Sequence, residues 1–205
     1  MKTCTLKEDT RDAILDAVRA LLIRYGYRKM TVDDIAREAG IGKGSVYLFF
    51  ASKEEMALGV IDRTNQKLLT KLREIAENTS APPDKIRELL FERVLTRFDA
   101  VQQCTEGLDD LYAAIRPKLL EKREYYQNIE AKILQDVLNM GKRSGCLAFG
   151  DAEAAAHALL SATNAFLPYS LSAQQLGDRH ELMTKLQCMA DILLYGLVKG
   201  DTSNG

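Results

Sequence analysis

Between Thr31 and Met56 the chain reads TVDDIAREAGIGKGSVYLFFASKEEM, punctuation so dense that it can fold only as short helices in tight succession. Thr31 opens the first of them, with Asp33 and Asp34 in the first turn where carboxylates complement the helix dipole, and Ala39-Gly40 closes it. Its inward face is Val32, Ile35, Ala36 and Ala39. Gly40-Ile41-Gly42 supplies permissive backbone for a sharp reversal. A short helix from about Lys43 to Phe50 follows, with Val46 and Phe50 turned inward by their four-residue spacing. Ser52 and Glu55 then cap another helix at once.

The flanking segments are helical as well. Ile14, Ala17, Val18, Leu21, Leu22 and Tyr25 lie on one face of a helix that ends near Gly26, with Thr5 and Glu8 as its capping box. Met56, Val60, Thr64, Leu68, Leu72 and Ile75 form one stripe of the helix after Ser52, up to the interruption at Ala81-Pro82-Pro83. Beyond it the pattern predicts helices at roughly 84–103, 108–116, 118–141, 152–169 and 179–199, punctuated by Gly107, Pro117, glycines 141, 145 and 150, and Gly177. No strand alternation occurs. At 205 residues and 46% hydrophobic composition the chain can bury a sizeable core. The predicted class is all-α, with a small N-terminal domain at 1–52 joined by a helix to a larger helical domain at 53–205.

Charge restricts the function classes. With 28 basic against 29 acidic residues there is no bulk attraction to polyanions. Between residues 24 and 53, however, six basic side chains face only three acidic ones, so an excess of positive charge coincides with the short helices. Cys4, Cys104, Cys146 and Cys188 are far apart, and with His157 and His180 they make no zinc pattern; no cofactor or metal is expected. Free thiols are the simplest reading, with a thiol redox sensor as an alternative. The stretch between Glu153 and Asp178 has no formal charge, but His157, Asn164, Pro168 and its Ser, Thr and Gln residues suit a buried helix better than a membrane span. No secretory signal or transit peptide is evident, and a cytoplasmic location is expected. No nucleophile elbow, phosphate loop or acid pair points to an enzyme; Gly42-Lys43-Gly44 lacks the strand and the further glycine that a dinucleotide site requires.

Helix, glycine turn, helix is instead the arrangement with which proteins read duplex DNA. With Val46 and Phe50 inward, Lys43, Ser45, Tyr47 and Leu48 project from the N-terminal and outer part of the second helix. Lys43 can bond guanine or phosphate and Ser45 either; Tyr47 offers a ring and a hydroxyl; Leu48 can make only an apolar contact, best with a thymine methyl. Gly44 lets the backbone approach closely. Thr31 and Lys53, each at a helix N-terminus, suit flanking phosphates, with helix amides assisting.

These residues resemble the TetR family of bacterial transcription regulators: a helix ending in Gly-Tyr, then TVDDIAREAG, IGKGSVYLFF and SKEE. Past residue 60 the likeness is only of length and helical architecture. Gly42, Leu48 and Ala51 depart from the usual pattern, where polar, basic or aromatic side chains are common, and leave fewer direct base contacts. The resemblance implies a homodimer on an inverted-repeat operator and an inducer that changes the spacing of the two reading heads. Paired recognition helices must lie roughly 34–36 Å apart. Ala155, Ala158 and Ala162 of the 152–169 helix, with Leu186, Met189 and Leu193 of the last helix, are the candidate dimer interface, which the family builds as a four-helix bundle. The middle helices carry enough apolar and aromatic surface to enclose a largely apolar small molecule, with Phe98, Tyr112, Arg116, Tyr126, Asn164 and Tyr169 as candidate contacts. The chain is thus expected to be a ligand-responsive repressor; a DNA-bound architectural protein with no effector is the alternative.

Overall fold

The computed structural model describes residues 2–103, 108–167 and 177–196. Among them are eight α-helices and no strand: α1 Lys2–Lys29, α2 Val32–Glu38, α3 Lys43–Tyr47, α4 Lys53–Glu77, α5 Pro82–Gln102, α6 Leu108–Arg143, α7 Ala152–Asn164 and α8 Arg179–Tyr195. They form two compact units, Met1–Leu68 with Asp99–Tyr126, and Leu69–Phe98 with Gln127–Gly205. Helix α4 begins at Lys53, and α4, α5 and α6 each give residues to both units.

In the first unit Ile14, Leu15, Val18, Leu21 and Leu22 of α1, Ile35 and Ala36 of α2, Val46 and Phe50, and Met56, Ala57 and Leu58 of α4 are buried. Tyr25, expected on the same stripe, is exposed, and its ring lies 5.7 Å from the Arg24 guanidinium. The stripe ends one residue early because Gly26, at φ 72° and ψ 170°, breaks the helical path next to it. Close approach of α4 to α1 depends on Gly59: a Cβ there would lie 2.8 Å from Leu15 Cδ2 and 3.2 Å from Phe50 Cε1. Adjacent residues of α4 face different helices. Asp62 accepts from Lys122 Nζ at 2.6 Å and from the Tyr126 hydroxyl at 3.2 Å, whereas Arg63 pairs with Asp16 of α1 at 2.6 Å.

Several helix boundaries differ from expectation. Helix α1 starts at Lys2, ahead of the Thr5 and Glu8 capping box. Pro82 and Pro83 form the first turn of α5, where a missing N–H costs nothing. The helices expected at 108–116 and 118–141 are one, with Pro117 inside it. Pro117 and Ala113, whose carbonyl loses its partner, both face solvent, while Leu111, Ile115 and Leu119 are buried along the same helix and hold it together. Helix α7 stops at Asn164, five residues short, and α8 stops at Tyr195, where Gly196 adopts φ 76°.

The second unit combines an apolar core with a buried charge cluster. Arg93 Nε donates to Glu130 Oε2 at 2.6 Å, Arg97 also donates to Glu130, and the remaining Arg93 nitrogens donate to Thr163 Oγ1 at 2.5 Å and Asn164 Oδ1 at 2.7 Å. Burial alone would push the Glu130 carboxyl up, but Arg97 and Arg93 outweigh it and hold the carboxyl below the ordinary glutamate value. A carboxyl depressed by folding contributes stability above that value, and the contribution is lost as pH falls through the folded value. Glu130→Ala leaves two buried guanidiniums without their shared counter-charge and is expected to lower the unfolding free energy by about 3–5 kcal/mol. Denaturant titration checks this, and the variant should also lose the part of the parent's acid sensitivity that falls below pH 4.5.

Candidate nucleic-acid interface

The α2–α3 segment is built as its sequence dictates. Thr31 is the N-cap of α2 in extended conformation: its hydroxyl accepts from the Asp34 amide at 3.2 Å, and Asp34 Oδ2 receives the Thr31 amide at 3.3 Å and hydroxyl at 2.6 Å. The Thr31 hydroxyl bond, with Arg37 beside it, keeps the Asp34 carboxyl below its usual range. Gly40, at φ 68°, turns the chain, and Ile41 N donates back to the Ala36 carbonyl at 3.0 Å. Gly42 caps α3 through its extended backbone and has no side chain to take the first amides, the consequence of a glycine where a hydroxyl is usual. Helix α3 ends at Tyr47, and Phe50 reaches the core through a turn whose amide bonds the Val46 carbonyl at 3.1 Å.

Burial of Val46 and Phe50 sets the rest of the segment outward. Tyr47 is 48% exposed and Leu48 83%, the latter a large apolar side chain on the surface of the protomer. Lys43 and Gly44 are exposed and Ser45 half-buried; a Cβ at Gly44 would meet no atom within 4 Å. Lys43 Nζ pairs with Asp33 at 2.8 Å, and that hydrogen bond raises the lysine further, so it stays cationic. Arg24 pairs with Glu38 at 3.4 Å and Arg37 with Asp34 at 3.3 Å. These three acidic partners are the ones already set against the six basic side chains, so the positive excess read from the sequence stands.

Lys53 is placed differently from Lys43. Its ammonium is half-buried, donating to the carbonyls of Tyr27 at 2.9 Å and Met30 at 3.0 Å, and it lies 4.2 Å from the centre of the Tyr27 ring. The Tyr27 hydroxyl in turn donates to Glu54 at 2.8 Å; burial, then this bond, pushes the phenol far up, while the Glu54 carboxyl, at the amide end of α4, is held low.

The candidate effector residues divide between the units. Tyr112, Arg116 and Tyr126 belong to the first, with Arg116 exposed and Tyr126 buried against Asp62; Phe98 and Asn164 belong to the second, with Phe98 buried and Asn164 held by Arg93. Tyr169 lies outside the described residues. Of the dimer candidates, Ala158 and Leu193 are exposed and Ala155, Ala162 and Met189 half-buried, but Leu186 is 0% exposed and belongs to the protomer's own core. Its place on the stripe with Leu182 and Ala190, both buried, decides this. Sequence reasoning missed Arg93, Arg97 and Glu130, because a charged side chain in a helical pattern reads as solvated until its neighbours are known. Cys146 and Cys188 are free and exposed. Among the described residues no cluster of His, Cys, Asp and Glu could hold a metal, and no helix is long and apolar enough to cross a membrane.

Comparison with known proteins agrees with this geometry. The family profile of bacterial regulatory proteins, tetR family, matches residues 14–60, from the buried face of α1 into α4. The chain is 32% identical over 138 residues to the HTH-type transcriptional repressor KstR2 of Mycobacterium tuberculosis, covering 66% of this chain and 68% of that one. Two solved structures share the fold: a TetR transcription regulator from Haloarcula marismortui (TM-score 0.72, 21% identity, 90% of this chain and 96% of that one) and FadR from Bacillus subtilis in complex with stearoyl-CoA (TM-score 0.62, 18% identity, 91% and 98%). With the two caps, the glycine turn and the outward face of α3 in place, the chain belongs to the TetR family of bacterial helix-turn-helix transcription regulators.

Proposed function

We propose that two copies of this chain hold an inverted-repeat operator through α3 and release it when a small, largely apolar effector binds the rest of the molecule. The single observation that carries the DNA part is the outward face of α3. Lys43, Ser45, Tyr47 and Leu48 leave the protein on one side of a helix whose other side is buried, and Leu48 supplies an apolar contact that a thymine methyl can use. Lys43 exchanges Asp33 for a phosphate or a guanine edge, Gly44 leaves open space for the DNA, and Thr31 lies at the amide end of α2, where a flanking phosphate fits. The Lys53 side chain is left out of this set because its ammonium already holds two carbonyls.

Repression is supported by the similarity to KstR2, and an apolar effector by the shared fold with FadR, which was solved with stearoyl-CoA. Phe98 and Asn164, both in the second unit, are the proposed contacts, the Asn164 amide being one that would have to release Arg93 to meet a ligand. Ala158 and Leu193, with Ala155, Ala162 and Met189 beside them, are the proposed meeting face of the two copies. An effector need only bind the DNA-incompetent state better, and a coupling of about 1–3 kcal/mol changes operator affinity roughly 5- to 150-fold.

Three measurements test this reading. Lys43→Ala should weaken binding to the preferred duplex by roughly 5- to 150-fold while leaving the melting temperature unchanged, because the side chain is exposed; equal affinities would remove Lys43 from the interface. Equilibrium sedimentation should give the mass of two chains at micromolar concentration, and a mass of one chain would reject the dimer. Titration of the protein–DNA complex with long-chain acyl compounds should release the duplex within the same 5- to 150-fold range. A broad apolar library with no effect on affinity would favour an architectural role.

A further inference from the structure

Lys53 is the first residue of α4, and its half-buried ammonium is turned to backbone carbonyls, whereas that of Lys43 is paired with the Asp33 carboxylate. The break at Gly26 leaves α1 with one terminal turn whose carbonyls lack helical partners, and a cation at that end of a helix is favoured. Lys53 Nζ meets this need directly: it donates to Tyr27 O at 2.9 Å and Met30 O at 3.0 Å, and the Tyr27 ring lies 4.2 Å away. Two of the three ammonium protons are thereby used. The next residue closes the contact from the other side, Glu54 accepting the buried Tyr27 hydroxyl at 2.8 Å. Met30 immediately precedes Thr31, the N-cap of α2. The clamp therefore sits at the junction from which the whole reading segment starts.

We infer that Lys53, with Tyr27 and Glu54, is a positioning device that fixes the α2–α3 reading segment on the first turn of α4. This rests on the DNA-binding reading above and assigns Lys53 a part that its place in the motif does not suggest. The two roles differ in electrostatics. A lysine that neutralises a phosphate releases a counterion, so its loss lowers the salt dependence of binding by about 0.9 per contact, whereas a clamp on backbone carbonyls carries no such signature.

The test compares the parent chain with Lys53→Met, Lys53→Arg and Tyr27→Phe, using as probe a duplex recovered by the parent protein from random-sequence DNA, titrated over a range of salt. Lys53→Met keeps the apolar stem and removes the donors. It is expected to lose roughly tenfold in affinity with an unchanged salt slope, since hydrogen bonds to charged groups are among the stronger ones. Lys53→Arg should recover most of that loss. Tyr27→Phe, which cannot alter any phosphate contact, should weaken binding in the same direction with the same slope. Melting curves confirm that each variant is folded at the assay temperature. A slope lower by about one in Lys53→Met, or an unaffected Tyr27→Phe, would overturn the positioning role and leave the DNA-binding reading intact. A parent chain with no affinity for any duplex would overturn both.

Discussion

Val46 and Phe50 are one helical turn apart, and burying both leaves α3 a single orientation. Each contributes about 1.5–3 kcal/mol of burial, an upper figure given residual compactness of unfolded chains. The directional consequence matters more than the sum. Once those two side chains are inside, Lys43, Tyr47 and Leu48 have nowhere to go but outward, and the face proposed to meet DNA is fixed by apolar residues on the other side. Gly59 belongs to the same constraint, since only a residue without Cβ lets α4 lie against Leu15 and Phe50 without displacing them.

Charge in this protein does two kinds of work according to its burial. On the reading segment, Lys43–Asp33, Arg37–Asp34 and Arg24–Glu38 are exposed pairs of small energetic value, easily exchanged for a phosphate. In the second unit Glu130 and its two arginines lie out of water, where the cost of breaking the group is high, so the cluster fixes α5, α6 and α7 in one arrangement. A switch that disturbed Arg93 or Asn164 would have to supply replacement hydrogen bonds.

The fold was legible wherever local chemistry is self-sufficient. Thr31 with Asp34, Gly40, Val46 and Phe50, and Ser52 ahead of Glu55 specify their elements by short-range hydrogen bonds and helical spacing, and these stand in the structure as the sequence implies. It was illegible where a distant partner decides. Pro117 reads as a break and is carried through because buried neighbours on both sides hold the helix. Leu186 reads as interface and is core, because apolar periodicity does not say which body covers a stripe. The carbonyls that bond Lys53 lie 26 and 23 residues earlier, a relation no spacing rule contains. The Arg93, Arg97 and Glu130 cluster joins residues 33 and 37 positions apart and was invisible for the same reason.

The central claim is that this chain reads duplex DNA as a two-fold pair of α3 helices. Selection of bound molecules from random duplex DNA by the purified protein, at a stated moderate salt concentration, tests it most directly. The account predicts enrichment of an inverted repeat whose half-sites lie about one helical turn, or a small multiple of it, apart. Recovery of no common sequence, or of single half-sites without symmetry, would contradict it.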